Sequence, residues 1–366
     1  MSNLKFQGSE FESQPFEMSE HTEPVFYYLI PDAYKKDFSL TPLLRSIKRG
    51  QGWRHIRKRW IRKHKAIGGV KVMYQHCQML RERGFKAELV VLGKYRGNFF
   101  GFDITPLSPA QLERRLRPND VLVCPELIPY LGLKFDSCKR VLFVQNWRHI
   151  YRHLEPGDEH SSYVDLGYDY VLSCSNYISK LLSREPSDRV QQVTNFIDLS
   201  RFHPEPAKRI NGRIMALPRK NPRDLAAIMA ILHAEGFEFE LIDGVSEAEI
   251  INAYQRADVF LATGYPEGFG LPPLEAMACG AAVVGFTGGG ADEFMFHEET
   301  ALVAEDGDIE SAVTHLRRIL EDTALKERVR EAGTRKARHY HQNASCEQLV
   351  AFRRLFDERA IDMAHE

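Results

Sequence analysis

GYPEGFGLPPLEAMACG, residues 264–280, sets two glutamates, Glu267 and Glu275, around a Gly-Phe-Gly turn and a Pro-Pro pair. An apolar run, DVFLATG (258–264), leads into it and Gly280 ends it. The order reads as strand, tight turn and helix. Pro272 and Pro273 are tolerated at a helix start, where a missing N–H leaves no bond unmade. The glycines let the backbone turn sharply and offer N–H groups without a Cβ in the way. The helix N-terminus adds roughly half a positive charge. Together these suit a phosphate or diphosphate. Glu275 is expected in the first turn of that helix, placed to accept two hydrogen bonds from a ribose diol. Glu267 precedes the turn and can face the other end of the same ligand. A glutamate that only serves the helix dipole would account for Glu275, the prolines and Gly280. It leaves the Gly-x-Gly turn and the second glutamate without a purpose.

Working outward, the same alternation runs along the chain. PVFYYLI (24–30), AELVVLG (87–93), DVLVCPE (120–126), RVLFVQN (140–146) and YDYVLSCS (168–175) read as strands. VKVMYQHCQMLRERG (70–84) has helical spacing and stops at Gly84, and NYISKLLSRE (176–185) reads as a helix. Continuous apolar runs followed by helices argue for buried parallel strands in βα units. NFIDLSRFHPEPAKRINGR (195–213), with two prolines, a glycine and mixed charge, reads as an interdomain connection. The alternation then restarts with GRIMALP (212–218), FEFELID (237–243), DVFLATG and AAVVGF (281–286) as strands. Helical patterns at 224–236, 246–257, 271–280 and 308–322 separate or follow them, with Ser246 as an N-cap. Residues from Thr323 to Ala360 are helical in pattern, with Leu349, Val350, Phe352, Leu355 and Phe356 on one side. The fold class is therefore α/β, with two doubly wound Rossmann-like domains in tandem. The expected divisions are an acidic tail at 1–23, an N-terminal domain at 24–200, a C-terminal domain at 201–345, and a final helix at 346–366 returning to the N-terminal domain. Ligands of such folds sit at the carboxyl ends of the strands, here in the cleft between domains.

The 366 residues exceed one ordinary core and fit two domains. With 43% hydrophobic and 27% charged residues and a formal net charge of -1, the composition is that of a globular protein. Cys77, Cys124, Cys138, Cys174, Cys279 and Cys346 form no CxxC pair, so neither a zinc site nor a disulfide framework is expected. No apolar run approaches the ~20 residues of a membrane span, and the N-terminus has no signal-peptide core. The expectation is a cytoplasmic protein, open to peripheral association with the inner face of the cell membrane.

The spaced glutamates in EGFGLPPLEAMACG (267–280) closely resemble the signature of retaining GT-B glycosyltransferases of family four. The resemblance covers most of the chain. YDYVLSCSNYISKLL (168–182) and VTNFIDLSRFHP (193–204) look like the family's last N-domain unit and linker. SEAEIINAYQRADVFLATGYPEGFG (246–270) and the stretch 280–320 look like its C-domain. The resemblance implies a C-domain that binds a nucleotide-diphosphate sugar and an N-domain that supplies most of the acceptor site. It implies that Glu275 holds the donor ribose and that Glu267 contacts the donor sugar. The backbone N–H groups of Gly268, Phe269, Gly270 and Leu271 would meet sugar hydroxyls and diphosphate. Transfer would retain the anomeric configuration and need neither metal nor cofactor. The acceptor would be a glycan or lipid-linked glycan, with bacterial surface polysaccharide such as lipopolysaccharide as the setting.

Further pieces fit around this. In PRKNPRDL (218–225) a cationic clamp for the leaving diphosphate is expected, since Arg is bidentate toward phosphate. The family spaces an Arg and a Lys here by a few residues; this chain has Arg219 and Lys220 adjacent, then Arg223. Arg219 is assigned to the phosphate, with Lys220 or Arg223 as the second cation. Gly68-Gly69 precedes a helix, and in the family such glycines let the backbone approach donor or acceptor. TGGGADEF (287–294), with Gly289 and Glu293, resembles a family loop near the donor base or acceptor. Many members keep a histidine at the strand end that here reads Gln145-Asn146, so Asn146 is the N-domain catalytic candidate, with His149 just beyond. His149 and His153 at i, i+4 could hold a metal, but no acidic ligand accompanies them, and a cleft pair is the plainer reading.

Residues 45–65, RSIKRGQGWRHIRKRWIRKHK, carry Trp53, Ile56 and Trp60 at i, i+3, i+7 amid Lys and Arg with no acid. This pattern suits an amphipathic basic helix for an anionic membrane surface, at about 1 kcal/mol per basic residue. It also suits an anionic acceptor, and least of all nucleic acid. Competing classes find less support. A nicotinamide oxidoreductase needs Gly-x-Gly-x-x-Gly directly after a strand, and none is present. A non-catalytic polyanion-binding module leaves the glutamate pair unused. A nucleotide-sugar epimerase of the same fold remains as an alternative separated by product analysis.

Overall fold

The computed structural model describes residues 23–31, 68–93 and 102–362. The acidic tail before Glu23 and the basic segment 45–65 lie outside these residues.

Eleven described strands form two parallel sheets. In the N-terminal domain they are β1 (Phe26–Ile30), β2 (Ala87–Val91), β3 (Val121–Pro125), β4 (Lys139–Val144), β5 (Tyr170–Ser173) and β6 (Val190–Gln192). Helices α1 (Gly68–Glu82), α2 (Pro109–Arg115), α3 (Pro129–Gly132) and α4 (Asn176–Leu181) connect them. The C-terminal domain has β7 (Ile214–Ala216), β8 (Phe239–Leu241), β9 (Val259–Ala262), β10 (Ala282–Phe286) and β11 (Leu302–Ala304). Between and after them come α5 (Pro222–His233), α6 (Glu247–Arg256), α7 (Leu271–Ala278), α8 (Ile309–Glu321), α9 (Thr323–Ala337) and α10 (Gln342–Asp362).

The strand orders are β2-β1-β3-β4-β5-β6 and β11-β10-β9-β7-β8. Helices cover both faces of each sheet, so β1, β3, β9 and β10 are buried at every position. That burial is why they read as unbroken apolar runs and not as alternations. In each sheet the order reverses next to a central strand, β1 in the first and β7 in the second. The crevice outside such a switch point is where doubly wound sheets bind ligands.

Local chemistry fixes the helix ends. Ser246 accepts from the Glu249 N–H while Glu249 reaches back to the Ser246 N–H, a reciprocal cap. Gly270 at φ 89° precedes α7, a conformation open to glycine at little cost. The helix begins at Leu271, which puts Glu275 in its second turn and corrects the expected first-turn position. A role confined to the helix dipole is thereby weakened, because that effect fades beyond the first turn.

The final helix α10 returns to the first sheet. Phe352 and Phe356 pack edge-on to Phe26 at 6.4 and 5.4 Å and to Tyr170 at 5.9 and 5.5 Å. The buried Arg353 pairs with Glu23 at 3.0 Å and with Asp357. The domains are also joined beneath the Gly-Phe-Gly turn. Phe269, Phe294 and Tyr340 form a trio with ring centroids 5.6–5.7 Å apart. Tyr340 in turn accepts, through its carbonyl, from the N–H of Ile197 in the interdomain segment at 2.8 Å.

Candidate functional site

A cavity of about 690 Å³ lies between the domains, within the range of small-molecule sites. Its wall collects the carboxyl ends of strands from both sheets: Pro31 after β1, Glu126 after β3, Gln145 after β4, Leu217 after β7 and Thr263 after β9. The N-termini of α1 and α7 open onto it through Gly69 and Lys71 on one side and Gly270 and Leu271 on the other. Two helix N-termini facing one space favour an anionic ligand.

Both glutamates of the opening stretch line this cavity, and so do Arg219 and Lys220. Glu267 leaves β9 through a short loop, and its N–H donates to the Gly288 carbonyl at 2.9 Å. Its carboxylate holds the Lys220 ammonium at 2.7 Å, and that ammonium also donates to the Pro266 carbonyl at 3.0 Å. Burial pushes the Glu267 carboxyl above its ordinary pKa, and the Lys220 charge works against that shift. Glu275 sits deeper and accepts from the Tyr254 hydroxyl at 3.2 Å. Burial raises it too, opposed by Lys71, Tyr254 and Arg219. Lys220 thus lines the cavity beside Arg219. Arg223 lies exposed in the first turn of α5 and is not among the cavity-lining residues. The reason is Asn221, whose left-handed backbone (φ 45°) starts α5. Its Nδ2 donates to the Thr263 and Tyr265 carbonyls at 3.1 and 2.6 Å. The chain therefore turns away from the cavity directly after Lys220.

Gly268, Phe269, Gly270 and Leu271 border the cavity. The Phe269 ring packs into the aromatic trio and so anchors the turn. Gly69 lines the opposite wall, and its carbonyl accepts from Gln145 Nε2 at 3.1 Å. Asn146 borders the cavity as well, and its Oδ1 accepts from the Arg148 N–H at 3.0 Å. His149 follows at the rim, its Nδ1 2.8 Å from His153 Nε2 and the two rings stacked. Burial, then the charge of His153, lowers the His149 pKa. Among the described residues no group of three or more His, Cys, Asp and Glu is arranged around a metal position, and this pair has no third ligand.

Gly289 and Glu293 sit at the boundary between the domains. Neither lines the cavity. Glu293 Oε1 accepts from the backbone N–H of Asn176 at 2.6 Å and Oε2 from the Asn176 side chain at 3.3 Å, so it caps α4 across the domain boundary. Gly289, at φ 83°, packs so close that a Cβ would lie 2.4 Å from the Tyr177 ring. Both residues contact α4 across the domain boundary.

Sequence reasoning passed over Glu126, Lys71 and Glu247, which also line the cavity. Glu126 is buried at the end of β3 with no cation paired to it among the described residues. Burial pushes it up to about 7, held back by the amides of Glu126, Gln145 and Asn146. Its folded pKa lies above the ordinary glutamate value of ~4.3, so the folded state keeps a proton that the unfolded state releases. Stability then falls as pH rises from about 4.5 through about 7. Glu126→Gln is expected to gain about 1–3 kcal/mol in urea unfolding near pH 8 and little near pH 5. Equal effects at both pH values would disprove this. A carboxylic acid kept at a cost to stability in a cavity wall is a candidate functional position.

Two parallel α/β sheets facing a cleft with this wall define the GT-B fold of glycosyltransferases. Residues 233–336 match the family described as Glycosyl transferases group 1. D-inositol 3-phosphate glycosyltransferase of Kineococcus radiotolerans is 29% identical over 151 residues, 39% of this chain and 34% of that protein. O-antigen chain mannosyltransferase B of Escherichia coli is 29% identical over 112 residues, 30% of this chain and 29% of that protein. The matches thus span about a third of the length of these curated relatives or less. In solved structures, Anabaena HepE in complex with UDP and glucose aligns with a TM-score of 0.58 at 15% identity, covering 90% of this chain and 99% of that one.

Proposed function

We propose that this chain is a retaining, metal-independent glycosyltransferase that moves a sugar from a nucleotide-diphosphate donor to a glycan or lipid-linked glycan, in surface polysaccharide synthesis. One observation carries the reading: Glu267, Glu275, Arg219 and Lys220 share one interdomain cavity with two helix N-termini. The UDP and glucose bound by HepE and the O-antigen role in the name of the E. coli relative support the donor and the setting.

On this reading the ribose diol donates to Glu275 and the diphosphate lies over the α7 N-terminus. The sugar faces Glu267. The bond from C1 to the diphosphate oxygen breaks toward an oxocarbenium-like state, and the acceptor hydroxyl attacks from the same face. Its proton passes to the departing diphosphate. Arg219, Lys220 and the helix N-terminus stabilise the charge that develops there, and the closed cleft excludes water.

Calorimetry with UDP, GDP, ADP and dTDP tests the donor half. One nucleotide should bind at micromolar strength, and Glu275→Ala should weaken it by ~1.4 kcal/mol or more, about tenfold. No binding by the wild type, or no change in the variant, ends the proposal. Product analysis without an acceptor distinguishes transfer from epimerisation.

A further inference from the structure

Tyr151 stands in the segment between β4 and β5 with a left-handed backbone, φ 55°. The Arg152 N–H donates to the His149 carbonyl at 3.2 Å, and Ile150 has φ -59° and ψ 120°. These angles make His149–Arg152 a type II turn with Tyr151 at its third position, the place that calls for glycine. A bulky residue there is strained, and such strain persists only where the surroundings impose it.

The surroundings do impose it. The Tyr151 N–H donates to the Tyr163 hydroxyl oxygen at 2.7 Å, and the Tyr151 hydroxyl donates to Glu185 Oε1 at 2.9 Å. Its ring stacks on that of Tyr163 with centroids 4.9 Å apart, and the Arg184 guanidinium lies over it at 4.3 Å. Glu185, buried after α4, also takes the N–H groups of Tyr163 at 2.8 Å and of Val164 at 3.1 Å. Glycine would make the turn at no steric cost, but of the Tyr151 contacts it could keep only the first.

The turn continues a 3-10 turn at Trp147–His149, in which the His149 N–H donates to the Asn146 carbonyl at 3.0 Å. Asn146 and His149 both line the cavity. The Asn146 Cα lies 3.6 Å from where a Cβ of Gly268 would stand, and Gly268 directly follows Glu267. That is the end of the cleft that the reading above gives to the sugar, whereas Glu275, given to the ribose, lies on α7. We infer that Tyr151 and Glu185 are positioning residues: acting through the His149–Arg152 turn, they hold Asn146 and His149 at the sugar end of the cleft, and so govern the rate of transfer and not the grip on the nucleotide. The inference rests on the nucleotide-sugar reading above.

The test uses the full chain with Tyr151→Gly and Tyr151→Phe. Glycine keeps the turn and loses the side-chain ties; phenylalanine keeps the ring and loses only the bond to Glu185. Release of diphosphate from UDP-, GDP-, ADP- and dTDP-glucose and from GDP-mannose, with water as the acceptor, gives kcat and KM. Calorimetry gives the dissociation constant of the free diphosphate. Tyr151→Gly is expected to lower kcat about tenfold or more and Tyr151→Phe about threefold, with KM and the dissociation constant within about twofold of wild type in both. In a Trp53→Phe, Trp60→Phe background Trp147 is the one tryptophan left. Its fluorescence anisotropy should fall in Tyr151→Gly, as the loop gains nanosecond motion. If Tyr151 only shapes the turn, Tyr151→Gly is as active as wild type or better and the anisotropy is unchanged. Either result overturns the inference, and so does a loss of nucleotide affinity as large as the loss of kcat. If Tyr151→Gly does not fold, Tyr151→Phe decides alone, and a kcat equal to wild type fails the inference. If the wild type neither binds nor turns over any of these nucleotides, the functional reading has failed first.

Discussion

Gly268→Ala should leave a folded protein whose transfer rate is about a hundredfold lower or worse. A Cβ at this position would stand 2.1 Å from the carbonyl oxygen of Gln145 and 3.1 Å from its carbon. Both are backbone atoms at the end of β4, so no rotamer change relieves the overlap. The demand at Gly268 is for space, whereas at Gly270, with φ 89°, it is for conformation. The Gly268 carbonyl is pinned from the other side by the Ser175 hydroxyl at 2.6 Å. The added methyl must therefore push the Gly-Phe-Gly turn and the Gln145-Asn146 loop apart by about an ångström, and a displacement of that size costs on the order of 10²-fold when reacting groups are held in register. Melting temperature should move little, because the contact is confined to the cleft. The assay is sugar transfer with the donor named by calorimetry; a rate within about threefold of wild type would show that the cleft works without this contact.

The legible part of this molecule was the part written in local pattern. Strands buried on both faces appear as apolar runs, and the turn at Gly268–Gly270 appears as glycines beside prolines, because each follows from neighbours along the chain. The three-residue strands β6 and β11 did not stand out, since VQQ and LVA are too short to show a period. Glu275 was placed one turn early because the two prolines look like the opening of the helix, while Leu271 opens it. Arg223 and Lys220 were equal candidates in sequence, and the left-handed Asn221 separates them only in three dimensions. Glu293 resembled a ligand loop because its glycines do, yet its partners on α4 lie 116 and 117 residues away. Lys71 and Glu247 are ordinary charged residues at helix starts until the domains close and pair them, 176 positions apart. Burial of Glu126 is likewise a property of the packed cleft, and nothing in DVLVCPE marks its last residue apart from the strand end.

Asp258→Asn should remove about 3–5 kcal/mol of stability from the C-terminal domain, because it neutralises the buried carboxylate shared by two buried cations and leaves Lys326 without a counterion. Asp258 stands just before β9. Its Oδ2 accepts from Lys326 Nζ at 2.8 Å and from the Gly212 N–H at 2.9 Å, and its Oδ1 from Arg330 at 2.5 Å. All three charged side chains are nearly inaccessible, with 3–7% of their surface exposed. The cluster ties the end of the interdomain segment and helix α9 to the central strand of the second sheet. Burial alone would raise the Asp258 pKa, but Lys326, the Gly212 amide and Arg330 outweigh it and hold the group below the ordinary range. Its contribution is therefore complete at neutral pH and fades only as the solution is acidified below about pH 4. At about 2–4 °C per kcal/mol for a domain of this size, the melting transition should fall by roughly 6–20 °C at pH 7. All three tryptophans precede residue 148. Far-ultraviolet dichroism, which samples both domains, should thus register an early transition that tryptophan fluorescence follows less closely. Adding Lys326→Met removes one orphaned charge while Arg330 keeps Glu327 as a partner. The double variant should recover part of the loss, because a missing ion pair in a packed interior costs less than a half-broken one. A double variant no more stable than Asp258→Asn alone would mean that the damage lies in the lost tie to Gly212 and not in the unpaired charge.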